Sequence, residues 1–198
     1  TSVSPDGRHL LLVGYQSHVP VELLARPVLR LGGVRIDPTV RARQRIYRLV
    51  ALTLVDVATA EHRPLDVPGD LAVPVWAPDS SRFAFTVDRP DGLSVWVGDA
   101  ASATAAEIPG LTVTDVLTGG QIGGGSPIQW TRDSQALLVL STGATTTLPE
   151  QRVEPRVEET AGKTTQMATF QDMLCSPLDE DAFEVGLQLS LEGVVQHG

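Results

Sequence analysis

A short pattern occurs three times along the chain, and this recurrence constrains the fold more than any other feature. The copies read VSPDGRHLLLVGY at 3–15, WAPDSSRFAFTVD at 76–88 and WTRDSQALLVLST at 130–142. In each copy an aspartate at the same offset lies in a short turn, where its side chain can accept a hydrogen bond from the backbone two residues on. A run of β-forming residues follows. The copies therefore predict repeated supersecondary units, each opening with a turn and a strand.

A second element follows each copy of the pattern. Segments 52–65, 93–110 and 187–198 each read as a strand, a polar turn and a returning strand. Turn, strand and hairpin together give about four strands per unit, as in the blades of a propeller. We therefore predict an all-β fold, a partial β-propeller of about three four-stranded antiparallel blades with long insertions and one short helical segment. A β-sandwich is the alternative, but its strands would show no such recurrence.

The repeats also predict how the chain is divided. Residues 1–198 are expected to form one incomplete propeller domain, with blades at about 3–65, 76–110 and 130–198. Trp76 and Trp130 precede their turns at the same offset, so we expect them to fill equivalent buried positions in successive blades. Because a propeller ring typically closes with about four to eight blades, further blades are expected outside these residues. Residue 1 stands at the edge of a blade motif, and we identify no signal peptide.

Composition excludes several classes of function. A net charge of −9 argues against general nucleic-acid binding, and no segment is long and apolar enough to cross a membrane. The single cysteine, Cys175, excludes an intramolecular disulfide. The four histidines are dispersed, with no pair at metal-ligand spacing: His9, His18, His62 and His197. We therefore predict a soluble chain with no cofactor, no metal site and no nucleic-acid or membrane partner.

Two segments superficially resemble catalytic or phosphate-binding motifs. The segment GGGSPI around Ser126 has Pro127 and Ile128 where a hydrolase G-x-S-x-G turn needs one residue and then glycine. The segment AGKTT at 161–165 has Val157 where a phosphate-binding loop needs glycine. No catalytic residue is therefore predicted in this chain.

Two long segments between the repeats, 15–46 and 159–184, carry a resemblance to a known family. They contain LARP at 24–27, GVRID at 33–37, TFQDML at 169–174 and DAF at 181–183. Together with the blade motifs, these blocks resemble the N-terminal propeller of prolyl-oligopeptidase-family serine peptidases, most closely the glutamyl-endopeptidase-like branch. One departure is that Glu184 runs almost directly into the next strand, so the third blade is expected to be trimmed or distorted.

The resemblance implies a two-domain serine peptidase, in which a propeller caps an α/β-hydrolase domain bearing a Ser-Asp-His triad. That hydrolase domain is absent from this chain, so the chain alone is predicted to be inactive and the full-length parent to be a hydrolase. The implied role of the propeller is to wall the substrate chamber and gate the entry of peptides. Its implied partners are the hydrolase domain, the remaining blades and peptide substrates. A TolB-like protein-binding propeller with no peptidase domain is the alternative.

The strongest charge feature is an arginine-rich stretch inside the first insertion. Its seven arginines surround a single acidic residue, Asp37, in an otherwise acidic chain: Arg26, Arg30, Arg35, Arg41, Arg43, Arg45 and Arg48. One interpretation is a structural insertion whose arginines are solvated or pair with acidic neighbours such as those of 150–184. The other is a cationic wall that steers acidic peptides toward the chamber, with four candidates: Arg35, Arg41, Arg43 and Arg45.

The second insertion contains a helical pattern. Met167, Phe170, Met173 and Leu174 recur at the spacing of one helical face within 164–184. We predict a short amphipathic helix that ends at Pro177.

Overall fold

The computed structural model describes residues 1–45, 47–90, 92–118, 125–142, 174, 176–186 and 189–195. Within them the strands are β1 (Ser2–Val3), β2 (His9–Gln16), β3 (Leu29–Leu31), β4 (Val34–Asp37), β5 (Ala42–Arg43), β6 (Arg48–Asp56), β7 (His62–Leu65), β8 (Val75–Trp76), β9 (Arg82–Arg89), β10 (Gly92–Asp99), β11 (Thr104–Val113), β12 (Ile128–Trp130), β13 (Ala136–Thr142) and β14 (Leu189–Val195). The helices are α1 (Val21–Leu24) and α2 (Pro177–Gly186). None of the helices in this described part is long and apolar enough to span a bilayer.

The strands form successive antiparallel sheets along the chain. The first blade has the order β1-β2-β6-β7, and the second has the order β8-β9-β10-β11. In the third blade, β13 pairs with β12 on one side and with β14 on the other. A single pairing of Val113 with Ser141 joins β11 to β13. The fold is a partial β-propeller, which confirms the predicted fold class.

Two apolar layers hold the blades face to face. Phe83, Phe85 and Val87 of β9 pack with Leu11 and the rest of the core on the first-blade side. On the opposite face of the same strand, Ala84 packs with the core shared with the third blade. The middle of strand β9 is therefore buried on both faces, because successive side chains of a strand point to opposite sides and each side meets a neighbouring layer.

The three aspartate turns share one local geometry. In each turn, the aspartate Oδ1 accepts the N–H of the residue two positions on, at 3.0 Å for Asp6, 3.0 Å for Asp79 and 3.1 Å for Asp133. The Ser4 hydroxyl and the Arg8 N–H lower the pKa of Asp6 by hydrogen bonding to its carboxylate. The next residue has a left-handed backbone in every copy, with φ of 72° at Gly7, 66° at Ser80 and 60° at Ser134.

The turns also link one blade to the next. The Asp6 N–H donates to Ser80 Oγ at 3.0 Å, and the Asp79 N–H donates to Ser134 Oγ at 3.0 Å. Ser80 and Ser134 both have a left-handed backbone, which is strained for any residue other than glycine. Glycine would remove this strain, but it has no hydroxyl to accept the hydrogen bond. We call this repeated contact the turn-to-turn link.

Trp76 and Trp130 occupy equivalent buried positions, as the repeat predicts. Each is the last residue of the first strand of its blade, and the two are 8% and 6% exposed. A side chain from the preceding blade covers each indole. In both cases it belongs to the first residue of the second strand of that blade. His9 stacks on Trp76 with centroids 6.3 Å apart, and the Arg82 guanidinium lies 5.2 Å from the Trp130 ring centroid.

Substitutions at Ser134 should separate the two effects that act there. Ser134→Ala removes the acceptor for the Asp79 N–H and keeps the left-handed strain, so we expect a loss of about 1–2 kcal/mol in the free energy of unfolding. Ser134→Gly loses the same bond but relieves about 1 kcal/mol of strain, so it should cost less than the alanine variant. Urea denaturation of both variants checks the order. Equal losses would contradict the strain at this residue.

The two insertions pack together at one end of the blades. Strands β3, β4 and β5 follow β2 and precede β6 along the chain, and they form a small antiparallel sheet of their own. Leu29, Leu31 and Ile36 of this sheet share a buried cluster with Ala182 of α2 and with Val116. Strands β2 and β9 end at this end of the blades, and β6 and β10 begin there. We call this end the insertion face.

One prediction about the second insertion is wrong. Pro177 is the first residue of α2 and does not end a helix. Proline fits the first turn of a helix because the N–H that it lacks would have no intrahelical partner there. The spacing of Met167, Phe170 and Met173 lies outside the described residues. The sequence predicted a single helical segment, but the structure has a second helix, the four-residue α1 in the first insertion.

Candidate functional site

Five charged side chains meet at the insertion face, and we call them the charged junction: Arg45, Arg48, Asp70, Asp88 and Asp115. They come from three parts of the chain. The arginines lie at the end of the first insertion and the start of β6, Asp70 precedes the second blade, and Asp88 and Asp115 lie near the ends of β9 and β11. The junction therefore joins the insertion to both of the first two blades.

Arg45 is the centre of this junction. Its Nη1 lies 2.8 Å from Asp88 Oδ1, and its Nη2 lies 3.4 Å from Asp115 Oδ2. Nη1 also donates a hydrogen bond to the Leu71 carbonyl oxygen at 3.3 Å. Only 14% of the Arg45 side chain is exposed. A guanidinium that bridges two carboxylates in this way fixes their relative positions, because its donors form a planar fork.

Neighbouring groups complete the junction. Asp115 Oδ1 accepts the Arg43 N–H at 2.7 Å, and Arg43 Nε donates to the Val116 carbonyl at 3.0 Å. Arg48 Nε lies 2.7 and 2.8 Å from the two oxygens of Asp70. The backbone carbonyl of Asp70 in turn accepts the Asp88 N–H at 2.9 Å. These contacts hold the end of the insertion against the blades.

Asp88 is a weaker acid than an ordinary aspartate. Burial raises the pKa of Asp88 to about 6; Arg45 opposes this rise, while the nearby Asp70 and Asp115 carboxylates add to it. Although Asp88 Oδ1 is close to Arg45, it makes no hydrogen bond with good geometry among the described residues. Within the junction three carboxylates share Arg45 and Arg48, and Arg26 nearby also acts to lower the pKa of Asp88 without offsetting the effect of burial.

This imbalance predicts an unusual dependence of stability on pH. Because the pKa of Asp88 is about 6 in the folded protein against 3.8 ordinarily, the folded state holds a proton that the unfolded chain has released between those values. The stability contributed by this group is therefore fully present below about pH 4 and is lost as pH rises through about 6, by about 2 kcal/mol.

Asp88→Asn should remove this decline, because the amide stays neutral. At pH 7 the variant should be more stable than the unchanged chain by about 1–2 kcal/mol, since Arg45 keeps Asp115 and Leu71 as partners. Urea denaturation between pH 4 and pH 7 measures the effect, with the exposed Asp66→Asn as the matched control. An unchanged pH profile in Asp88→Asn would refute the assignment.

The four arginines proposed for steering are placed differently. Arg45 and Arg43 are partly buried and bound to carboxylates or backbone carbonyls of the blades. Arg35 is exposed on β4. Arg41 is partly buried, with φ of 50°, and its carbonyl accepts the Thr114 hydroxyl at 2.7 Å. Their role in steering peptides stays a prediction.

Three arginines of the stretch have acidic partners outside the segment 150–184. Arg45 contacts Asp88 and Asp115, Arg48 contacts Asp70, and Arg26 pairs with Asp37 at 3.4 Å. Most of the acidic segment 150–184 lies outside the described residues. Sequence reasoning missed the three blade aspartates because each is an isolated acid at a strand end or in a loop, with no motif around it.

The junction has the properties of a structural clamp. Among the described residues, no group of three or more histidine, cysteine or acidic side chains could hold a metal ion. Ser126 Oγ accepts the Ile128 N–H at 3.3 Å, which places it in a local turn. The charged junction and the buried cluster can fix the insertions as a rim at one end of the blades.

Comparison with known proteins bears on the identity of the chain. No family model matches it. It is 25% identical over 203 residues to a protein of Oryza sativa subsp. japonica named "Probable glutamyl endopeptidase, chloroplastic". The resemblance that the sequence motifs predict is confirmed. The match covers 92% of this chain and 21% of that protein, so the chain spans about a fifth of the length of the relative.

Several solved structures are similar at low sequence identity. An acylaminoacyl peptidase of Pyrococcus horikoshii is 16% identical, with a TM-score of 0.38, over 68% of this chain and 15% of that chain. The β-propeller domain of the Trilobed protease of Pyrococcus furiosus is 14% identical, with a TM-score of 0.36, over 68% and 31%. TolB of Acinetobacter baumannii is 15% identical, with a TM-score of 0.33, over 70% and 26%.

Proposed function

We propose that this chain is the non-catalytic propeller portion of a prolyl-oligopeptidase-family serine peptidase. In this role it walls and gates the substrate chamber of a C-terminal α/β-hydrolase domain. The observation that supports the proposal most is the similarity to the glutamyl endopeptidase of rice, which extends over 92% of the chain. A match of that extent takes in both insertions as well as the blades.

The insertion face suits the role of a chamber wall. The two insertions pack together through a buried cluster, and the charged junction fixes the first of them to the blades. A rim held in this way can restrict entry by its shape, because buried ion pairs and packed side chains limit its movement. The exposed apolar residues Val21, Leu24, Leu117 and Leu178 belong to the insertions or to the loop beside them. We propose that they contact the hydrolase domain.

The steering of acidic peptides is a narrower part of the proposal. Arg45 is paired with Asp88 and Asp115, so it contributes little to the field at a distance, and the Arg43 guanidinium is held on the Val116 carbonyl. Arg35, which is exposed, is the best placed of the four candidates to attract an acidic peptide.

The activity assignment is tested with a serine-directed fluorophosphonate probe. The full-length protein that contains these blades should be labelled at one serine outside residues 1–198, and the 198-residue chain should not be labelled. If the full-length protein is not labelled and hydrolyses no peptide, the chain is a binding propeller of the TolB type. Labelling of a serine within residues 1–198 would overturn the non-catalytic role.

Gating needs a separate measurement on the same full-length protein. Arg45→Met leaves Asp88 and Asp115 without their shared cation, so the rim should move more easily. We expect kcat/KM for a protein-length unfolded substrate to rise relative to that for a short peptide, while labelling of the serine is unchanged. The exposed Asp66→Asn is the control. An unchanged ratio of the two substrates would contradict gating by this rim.

A further inference from the structure

Thr86 and Asp88 are two polar residues on one face of β9. Because successive side chains of a strand point to opposite sides, these two residues share the face of Ala84. Ala84 belongs to an apolar cluster that also contains Leu93 and Val95 of β10. In the register of the two strands, Val95 lies opposite Thr86 and Leu93 lies opposite Asp88. The two polar residues are therefore neighbours on a face whose cross-strand partners are apolar.

The repeat shows that a polar residue at the position of Thr86 is not required by the blade. The same position holds Val13 in the first copy of the pattern and Leu140 in the third. Valine has nearly the shape of threonine and would fill the same space without a polar atom. A buried hydroxyl without a hydrogen-bond partner costs free energy, and the apolar cluster offers it none. The hydroxyl of Thr86 therefore needs a partner that these side chains do not supply.

Both side chains have a buried oxygen with unused capacity for hydrogen bonding. Thr86 is 1% exposed, and its Oγ1 makes no hydrogen bond within the described part of the chain. Asp88 Oδ1 is also buried, and its 2.8 Å contact with Arg45 Nη1 lacks the geometry of a hydrogen bond. The backbone groups beside them are paired, because the Asp88 N–H donates to the Asp70 carbonyl and the Thr86 carbonyl accepts the Ala72 N–H. The unused capacity therefore belongs to the two side chains.

The spacing of the two side chains suits one water molecule. Residues two apart on a strand are separated by about 6–7 Å. A water that bridges two oxygens spans about 5.5 Å, because each of its hydrogen bonds is about 2.7–2.8 Å long. A buried water typically has about three polar partners, and the Arg45 guanidinium beside Asp88 Oδ1 can be the third. A cation is disfavoured at this place because the guanidinium would repel it.

We propose that one buried water molecule is bound between Thr86 Oγ1 and Asp88 Oδ1 as a fixed part of the charged junction. The Thr86 hydroxyl and the Arg45 guanidinium donate to the water, and the water donates to Asp88 Oδ1. The water thereby joins the clamp on the first insertion to the core of the second blade. The inference does not rest on peptidase activity, and its failure would leave the peptidase assignment unchanged.

Replacing Thr86 by valine should give opposite results with and without the water. If the water is bound, Thr86→Val removes one of its partners and leaves Asp88 Oδ1 unsatisfied. The equilibrium constant of unfolding at pH 7, measured by urea denaturation, should then rise by about tenfold. If no water is bound, the variant only removes an unsatisfied hydroxyl and should be as stable as the unchanged chain or more so, which would overturn the proposal. Thr53→Val, at a partly exposed position of β6, is the control and should change the constant by less than about twofold.

Titration of the Asp88 carboxyl carbon by NMR shows whether the hydroxyl acts through this carboxylate. In Thr86→Val the pKa of Asp88 should rise, because the ionised carboxylate loses a donor, and in Thr53→Val it should not change. The other charged groups that act on Asp88 are the same in both variants: Arg45, Asp70, Asp115 and Arg26. An unchanged pKa in Thr86→Val would count against the bridge and refute the proposal.

A high-resolution crystal structure of the unchanged chain, soaked with thallium(I), identifies the ligand without any variant. We expect one water within hydrogen-bond distance of Thr86 Oγ1 and Asp88 Oδ1, and no anomalous signal at its position. A direct contact between the two oxygens, or no density between them, would overturn the proposal. An anomalous thallium peak there would also overturn it, because the ligand would then be a monovalent cation.

Discussion

Replacing Arg45 by methionine is expected to lower the free energy of unfolding by about 3–5 kcal/mol at pH 7. The variant keeps most of the apolar stem but leaves Asp88 and Asp115 without their shared cation. In the variant, Arg48 still pairs with Asp70, so three carboxylates lie near a single arginine in a partly buried junction. Removing one partner of such a network is costly because the remaining charges have already lost most of their water. Urea denaturation measures the loss.

The pH dependence of this loss identifies its cause. Below the pKa of Asp88, about 6, the carboxyl takes up a proton and the repulsion falls, so the loss in Arg45→Met should be smaller at pH 5 than at pH 7. Arg8→Met is the matched control, because Arg8 is 81% exposed and its contact with Asp6 is 3.9 Å long. We expect less than about 0.5 kcal/mol from that control. A similar small loss in both variants would show that the junction does not hold the insertion.

Gly98→Ala is expected to destabilise the protein by about 3 kcal/mol through overpacking. Gly98 of β10 lies directly opposite Phe83 of β9, and a Cβ built on Gly98 would overlap the Phe83 ring. Phe83 cannot easily yield, since it is fully buried and lies between Trp76 and Phe85, with ring centroids at 5.3 and 6.2 Å. Thermal or urea denaturation of the variant provides the measurement.

A double-mutant cycle separates crowding from any backbone effect. In a Phe83→Leu background the ring is gone, so Gly98→Ala should cost less than about 1 kcal/mol there. The difference between the two backgrounds is the coupling between Gly98 and Phe83. If Gly98→Ala costs the same in both, the ring is not the obstacle and the explanation fails.

The repeated turns show what could be predicted from the sequence. Asp6, Asp79 and Asp133 recur at one offset, and each accepts a hydrogen bond from a residue only two positions away. The β-forming runs after them are β2, β9 and β13, and Trp76 and Trp130 are equivalent buried residues. Turn geometry and strand alternation are set by neighbouring residues, so a local pattern is enough to predict them.

The charged junction and the position of α2 were decided by the tertiary structure. Arg45 and Asp115 are 70 residues apart in the chain, and no local pattern links an arginine in an insertion to an aspartate after a strand. Similarly, the sequence around Pro177 allows a helix either to end or to begin there. In the structure α2 begins at Pro177, and its residues Ala182 and Phe183 pack against the first insertion. The residues of the chain themselves determined the repeat and the turns, because these depend on contacts between near neighbours. The choice of partners for the arginines required the fold, because only the docking of separate blades brings their carboxylates together and removes them from water.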